Sequence, residues 1–275
     1  MTVGAVLPHL RCFGGIRRFL EIGNCMVDRG IGYTIFARKP GRCKWFKFNG
    51  QIRDCSKIKA DIIIFSYPPN FKLMSRAMGR IFVYVVAGGK YIEEYKAVYG
   101  KYPFIINNRV FKKYFPKSHL VEGGVNVYRF RPPEKPKPPS QKVRVLYYDA
   151  RAVHKGSDFI RHQLSGIKGI ELVPLRGLSD EKLPGTYRSC DFFVSWESRE
   201  GWPNTAVEAL ASGLTVVSRG FNCEPFIDKI IKVQDAKHLR RFFQRADIRT
   251  KRKPGNMDEF SWELVVDKLM KIFKG

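Results

Sequence analysis

Residues 197–218, ESREGWPNTAVEALASGLTVVS, pass from a charged loop through a helix into a buried strand. An apolar run at 191–196 leads in as a strand, and Gly201 and Pro203 break the backbone. A helix begins near Asn204-Thr205, and Gly213 closes it before the strand 214–218. A strand that turns through glycine into a helix offers the free N–H groups of the helix start to an anion. Glu200 and Glu208 stand eight positions apart across that turn. Glu208, about one turn into the helix, can reach the vicinal hydroxyls of a ribose, and Glu200 can reach sugar hydroxyls. Taken alone, such a pair is more simply the solvated acids of a capped helix.

The same alternation extends in both directions. Upstream, 143–148 reads as a strand, 157–164 as a helix, 170–174 as a strand and 183–189 as a short helix; downstream, 260–273 is an amphipathic helix. The first half opens with a strand at 3–7, the loop HLRCFGG (9–15), a helix at 16–27 and a strand at 33–37. This is a β-α-β unit with Gly14 and Gly15 at its turn. Strands at 60–66 and 81–87 flank a helix at 71–78, weaker strands fall at 104–107 and 119–122, and 110–115 reads as a short helix. Near-continuous apolar strands alternating with helices predict parallel sheets covered on both faces. RPPEKPKPPS (131–140) holds five prolines in ten residues and predicts a semi-rigid linker. The expected fold class is α/β, with two Rossmann-like doubly wound domains facing a cleft. Their expected bounds are 1–130 and 143–258, with the linker at 131–142 and a closing helix at 259–275. Ligands of such sheets lie beyond the carboxyl ends of the strands.

Composition narrows the function classes. Of 275 residues, 44% are apolar and 13% aromatic, which excludes a disordered chain. No apolar run approaches the roughly 20 residues of a membrane span, and the start MTVGAVLPHL lacks the basic region of a secretory signal. Fifty Lys+Arg against 25 Asp+Glu give a net charge of +25. Residues 1–140 hold 26 of the basic and 8 of the acidic residues, a net +18, against +7 for the remainder. Such a field favours nucleic acid, an anionic membrane or phosphorylated substrates. Six cysteines show no C-x-x-C pair, and five histidines show no metal-binding spacing. No zinc site is expected, and reduced thiols in a cytoplasmic protein fit the scattered spacing.

The segment EGWPNTAVEALASGLTVV resembles the E-x7-E signature of retaining GT-B glycosyltransferases of the family 4 type, whose members read close to E-G-(F or W)-P-N followed by E-A. SDEKLPGTYRSCDFFVS (179–195) is similar to the family's short helix and following strand. VLYYDARAVHKGSDFI (145–160) is similar to its GRxxxxKG element, with Arg151 four residues before Lys155 rather than five. EGGVNVYRFRPP (122–133) is similar to its interdomain turn, and FSWELVVDKLMKIF (260–273) to its closing helix. FGGIRRFLEIGNCMVDRG (13–30) resembles its glycine-rich first loop. Gly88-Gly89 stands where many members carry a His facing the reacting sugar.

The resemblance implies transfer of a hexose from a nucleotide-sugar, such as a UDP- or GDP-hexose, to an acceptor with retention, without a metal or other cofactor. Lys155 and Arg151 are implied at the diphosphate, with the N–H groups of Gly14 and Gly15 opposite. Glu208 would hold the ribose and Glu200 the donor sugar. Gly201, Trp202, Pro203, Asn204 and Thr205 would line the sugar and β-phosphate, with Arg176 near the base. The charge of the first half suggests a glycan or lipid-linked glycan acceptor at an anionic membrane surface, with the protein cytoplasmic and peripheral on the cytoplasmic membrane face. The basic-aromatic stretches 42–48 and 111–115 suit such an interface. Nucleic acid is the alternative partner, as the substrate of a base-modifying glucosyltransferase or the ligand of a non-catalytic protein of the same fold. Binding alone would not need Glu200, Glu208 and Lys155.

Overall fold

The apolar runs become two wholly parallel sheets. The computed structural model describes residues 1–41, 43–135, 142–149, 155–198, 201–245 and 256–275. Its strands are β1 (Thr2–Leu7), β2 (Gly32–Ala37), β3 (Gln51–Arg53), β4 (Lys59–Phe65), β5 (Met78–Val85), β6 (Phe104–Ile106), β7 (His119–Leu120), β8 (Val143–Tyr148), β9 (Ile170–Leu175), β10 (Phe192–Ser195), β11 (Thr215–Ser218) and β12 (Ile231–Lys232). The helices are α1 (Gly14–Asp28), α2 (Ile92–Lys96), α3 (Ser157–Leu164), α4 (Leu183–Arg188), α5 (Asn204–Ala211), α6 (Ala236–Gln244) and α7 (Trp262–Lys274). The first sheet runs β3-β2-β1-β4-β5-β6-β7 and the second β12-β11-β10-β8-β9.

The chain divides into two compact units. Unit 1 holds Met1–Gly124, a short piece ending at Trp202, and Phe260–Gly275; unit 2 holds Val125–Arg199 and Pro203–Glu259. Both are α/β.

In unit 1 the strands alternate between two cores, as the two-residue period of a strand requires. Val3, Ala5 and Leu7 of β1 join Phe19, Leu20 and Ile22 of α1 and Val265, Val266, Leu269 and Phe273 of α7. Val6 turns to the opposite face, with Phe36, Ile63, Phe65, Phe111 and Phe115. Each fully buried Leu, Ile or Phe contributes roughly 1.5–3 kcal/mol, so α7 is as much a part of this core as α1. Ser261 caps α7 by accepting from the Leu264 N–H at 3.3 Å. Arg29, just past α1, reaches Asp267 of α7 at 2.7 Å.

Two expected helices are tighter than the α form. The segment read at 71–78 is a 3₁₀ helix over Pro68–Arg76, because two prolines occupy its start and Met78 already pairs in β5. The one read at 110–115 is a 3₁₀ turn over Arg109–Lys113, opened by the Asn108 side chain accepting from the Val110 N–H at 3.0 Å. Strands β3 and β12 and helices α2 and α6 were not anticipated. Among the described residues no helix is long and apolar enough to cross a membrane.

Unit 2 packs Val145, Tyr147, Phe192, Val194 and Val217 against Ile160 and Leu164 of α3 and Leu239 and Phe243 of α6. The beginning of the proline-rich stretch lies on this unit. Arg129 pairs with Asp180 at 2.5 Å, and Pro132 lies 3.2 Å from where a Cβ on Gly213 would sit. Residues 136–141 of the expected linker lie outside the described residues.

The turn between β7 and unit 2 tolerates no side chain. A Cβ on Gly123 would lie 2.1 Å from Trp202 Cδ1 and 2.4 Å from Arg18 Nη2. Gly123→Ala is therefore expected to cost about 1–3 kcal/mol through overpacking. Urea denaturation of the purified variant, compared with an alanine at the open position Gly185, measures that loss.

Candidate functional site

In unit 2 the strand exits bring the titratable groups to one edge of the sheet. Asp149 follows β8, Arg176 follows β9, Glu197 follows β10 and Arg219 follows β11. Lys155 immediately precedes α3, with Gly156 between them at φ +69°. A Cβ there would press on the Trp196 backbone oxygen and side chain at 2.8–3.1 Å, so glycine serves both the turn and the close approach. The Lys155 ammonium donates to Glu197 Oε1 at 2.7 Å and lies 5.4 Å from the Tyr148 ring centroid. Arg176, more than half exposed, faces Asp149 at 3.6 Å. Arg219 stacks over Trp196 at 5.1 Å, and its buried Nε has no hydrogen-bond partner. Trp196 in turn stacks on Phe159 of α3 at 4.5 Å.

At the start of α5 the Ala206 and Val207 N–H groups turn back to the Pro203 carbonyl, which leaves those of Asn204 and Thr205 as its open donors. Its N-cap, Pro203, has no side chain able to accept a hydrogen bond. Asn204 is half-buried, and the Thr205 hydroxyl is buried with no partner. Glu208, a turn further along, is 6% exposed. Its Oε2 accepts from the Tyr187 hydroxyl at 2.9 Å, so α4 fixes the carboxylate that α5 carries. Tyr187 is fully buried between Phe130 and Phe193.

Gly14 and Gly15 open α1 directly rather than forming a separate turn. The residue before them, Phe13, supplies no capping side chain. Like α5, this helix starts without a side-chain cap beyond a strand exit, here that of β1. Gly201 and Trp202 belong to unit 1. Gly201, at φ +151°, bridges Ala87 and accepts from Asn108 Nδ2 at 3.1 Å. The Trp202 ring, expected as a sugar contact, is 6% exposed and packs on Phe260 at 5.5 Å between centroids. Arg151 and Glu200 lie outside the described residues.

The basic-aromatic stretches differ from expectation. Phe111 and Phe115 are fully buried, Phe46 is 6% exposed, and Trp45 is half-buried with its indole N–H on the Leu10 carbonyl at 2.6 Å. These rings face the core of unit 1 because the alternation of aromatic and basic residues is that of a half-buried surface. Phe46, Phe111 and Phe115 are spent on packing, while Phe48 and Tyr114 are half-buried and Lys44, Lys47 and Lys113 face outward. Lys112 itself is tied to the carbonyls of Pro116 and Ser118.

Among the described residues no group of three or more His, Cys, Asp or Glu is gathered for a metal ion. None of the six cysteines is joined in a disulfide. Burial pushes Cys25 and Cys223 up to about 12, which makes both inert as nucleophiles near neutrality.

Tyr187, Glu197 and Arg219 were not singled out from the sequence. Glu197 and Arg219 each stand directly beyond a strand exit, a position that signals a site in any parallel sheet. Tyr187 carried no such signal.

No family model and no curated protein sequence matches the chain. Solved structures do. Sucrose-phosphate synthase from Thermosynechococcus elongatus superposes with a TM-score of 0.81 at 13% identity, covering 99% of this chain and 98% of that one. A glycosyltransferase from Rickettsia africae ESF-5 gives 0.71 at 13% identity, covering 99% and 97%. The lipopolysaccharide outer core galactosyltransferase WaaB gives 0.66 at 13% identity, covering 100% and 99%. The fold is that of the GT-B glycosyltransferases.

The Tyr187–Glu208 bond yields a direct expectation. Tyr187→Phe leaves a buried carboxylate without that donor, at a cost of about 1–3 kcal/mol. Chemical denaturation monitored by circular dichroism should show the loss, with the native spectrum unchanged.

Proposed function

We propose that this chain is a retaining glycosyltransferase that moves a hexose from a nucleoside-diphosphate sugar, of the UDP- or GDP-hexose kind, to an acceptor hydroxyl on a glycan or lipid-linked glycan. The start of α5 carries the proposal: an uncapped helix N-terminus with a buried, unpartnered Thr205 hydroxyl, at the strand edge where Lys155 and Arg219 also emerge. Unspent N–H donors and nearby cations suit a diphosphate, whose oxygens accept from both. The shared fold with glycosyltransferases supports the same reading.

In the proposed reaction the bond between the anomeric carbon and the diphosphate oxygen breaks. A bond from that carbon to the acceptor oxygen forms on the same face, and the acceptor proton passes to the departing diphosphate. Negative charge grows on the diphosphate as its bond lengthens, and fixed donors stabilise it most strongly at that moment. Lys155 would exchange its Glu197 partner for the diphosphate, while Glu197 keeps the ammonium oriented beforehand. The α5 N–H groups and Thr205 would take further phosphate oxygens. Glu208, held by Tyr187, would accept from the ribose hydroxyls, and Glu200 would take the donor sugar with Arg151 on the diphosphate. Arg176 is proposed beside the base. With cations and helix termini supplying the charge, transfer is proposed to need no metal. Unit 1 is assigned to the acceptor, and attraction to an anionic membrane face would rest on charge.

Two outcomes test this. UDP or GDP should raise the melting temperature, by the equivalent of about 2.7 kcal/mol at a hundredfold excess over Kd. Glu208→Ala and Thr205→Val should each remove most of that shift, and an undiminished shift in both would sink the assignment. Transfer or donor hydrolysis should also persist in excess EDTA; loss of turnover restored by manganese would show that a metal supplies the charge.

A further inference from the structure

Five of the seven strand exits of unit 1 carry basic residues and no acid. The segments leaving the carboxyl ends of β1, β2, β4, β5 and β6 are residues 8–13, 38–50, 66–77, 86–91 and 107–118. They contain lysine and arginine but no aspartate or glutamate. Because the strands are parallel, all five exits lie along one edge. The outer strands β3 and β7 carry acids at their exits, Asp54 and Glu122, and Glu93 and Glu94 follow on α2.

Within that edge, three strand exits meet at one cluster. Tyr67, beyond β4, and Tyr91, beyond β5, place their hydroxyls 2.9 Å apart with the rings edge to face at 5.3 Å. Arg38, directly beyond β2, donates to the Pro69 carbonyl at 3.0 Å. Lys90 lies 5.1 Å from the Tyr91 ring centroid. Arg38 and Lys90 both act electrostatically on the Tyr67 phenol, and among the described residues neither has a carboxylate partner. Two phenols joined by one hydrogen bond leave one O–H proton unspent, and Arg38 has used one donor of five. The cluster therefore offers a phenol proton, a guanidinium and an ammonium, neither cation paired with a carboxylate among the described residues.

We infer that Arg38, Tyr67, Lys90 and Tyr91 form a receptor for a phosphate monoester on the acceptor. A phosphate monoester brings close to two negative charges against two cations, and its oxygens can accept from all the donors at once. The tyrosine rings add apolar surface for the sugar that bears it. This inference rests on the assignment of unit 1 to the acceptor. The same phosphate could be carried by a soluble sugar or by a lipid headgroup, and the two sources separate experimentally.

Isothermal titration at low salt, with inorganic phosphate, glucose 6-phosphate and glucose as probes, reads the receptor directly. Phosphate and glucose 6-phosphate should bind and glucose should not. Arg38→Met and Lys90→Met should each weaken binding about tenfold or more, and the conservative Tyr67→Phe with Tyr91→Phe should weaken it with circular dichroism unchanged. The UDP-induced melting shift should survive in all of these variants. Cosedimentation with phosphatidylcholine vesicles containing phosphatidic acid, whose headgroup is a phosphate monoester, supplies the second arm. Vesicle binding that these substitutions abolish, without glucose 6-phosphate binding, assigns the phosphate to a lipid. Binding of neither probe, or binding that the substitutions leave unchanged, overturns the receptor. If the receptor behaves as stated while UDP gives no shift, the donor proposal fails and the receptor stands.

Discussion

A strand can pair in parallel with its neighbour only after the chain has crossed back to the starting edge, and both sheets here are wholly parallel. Every exit in a unit therefore lies on one edge and every entry on the other. Residues far apart in sequence, such as Arg38, Tyr67 and Lys90, become neighbours without any loop having to be long. The same constraint gathers Lys155, Glu197 and Arg219 in unit 2.

Most of this architecture was legible in the sequence. Apolar runs such as 62–65 and 192–194 could only be buried strands, and the glycine-to-helix turns marked where they end. The parts that escaped are short or weakly patterned. β3 is only Gln51–Arg53, with alternating exposure, and α6 carries three basic residues and a histidine in nine positions. The site was legible where it depended on helix starts, at Gly14, Asn204 and Thr205. It was illegible where it depended on partners across the fold, since nothing local to Tyr187 points at Glu208. Trp202 is a different case. Its place in a motif suggested a ligand, and the structure adds a packing contact with Phe260 that the motif did not announce.

Arg18 breaks the rule that charges stay outside, at 2% exposure. Its guanidinium donates to the Tyr84 hydroxyl at 2.9 Å and lies within 6 Å of the Tyr84 and Trp262 rings. Tyr84 passes the chain of bonds on to the Val121 carbonyl at 2.8 Å. One buried cation thus links α1, β5, α7 and the exit of β7. Replacing such a group by an apolar one of like size is often tolerated for stability, so its value is in fixing which packing the helices adopt. At 13% identity to a structural neighbour, the chain keeps the fold through pattern.

The discontinuity of unit 1 bears on how the protein is made. A chain emerges from the ribosome at about 5–20 residues per second, and the core of unit 1 draws on Trp262, Val266, Leu269 and Phe273. All of unit 2 lies earlier in the sequence than those residues. The first strands to be synthesised must wait, with part of their apolar face uncovered, while the second unit completes and the α7 segment follows. Birth order and folding order are thereby inverted, and the first sheet passes through synthesis as the more exposed of the two.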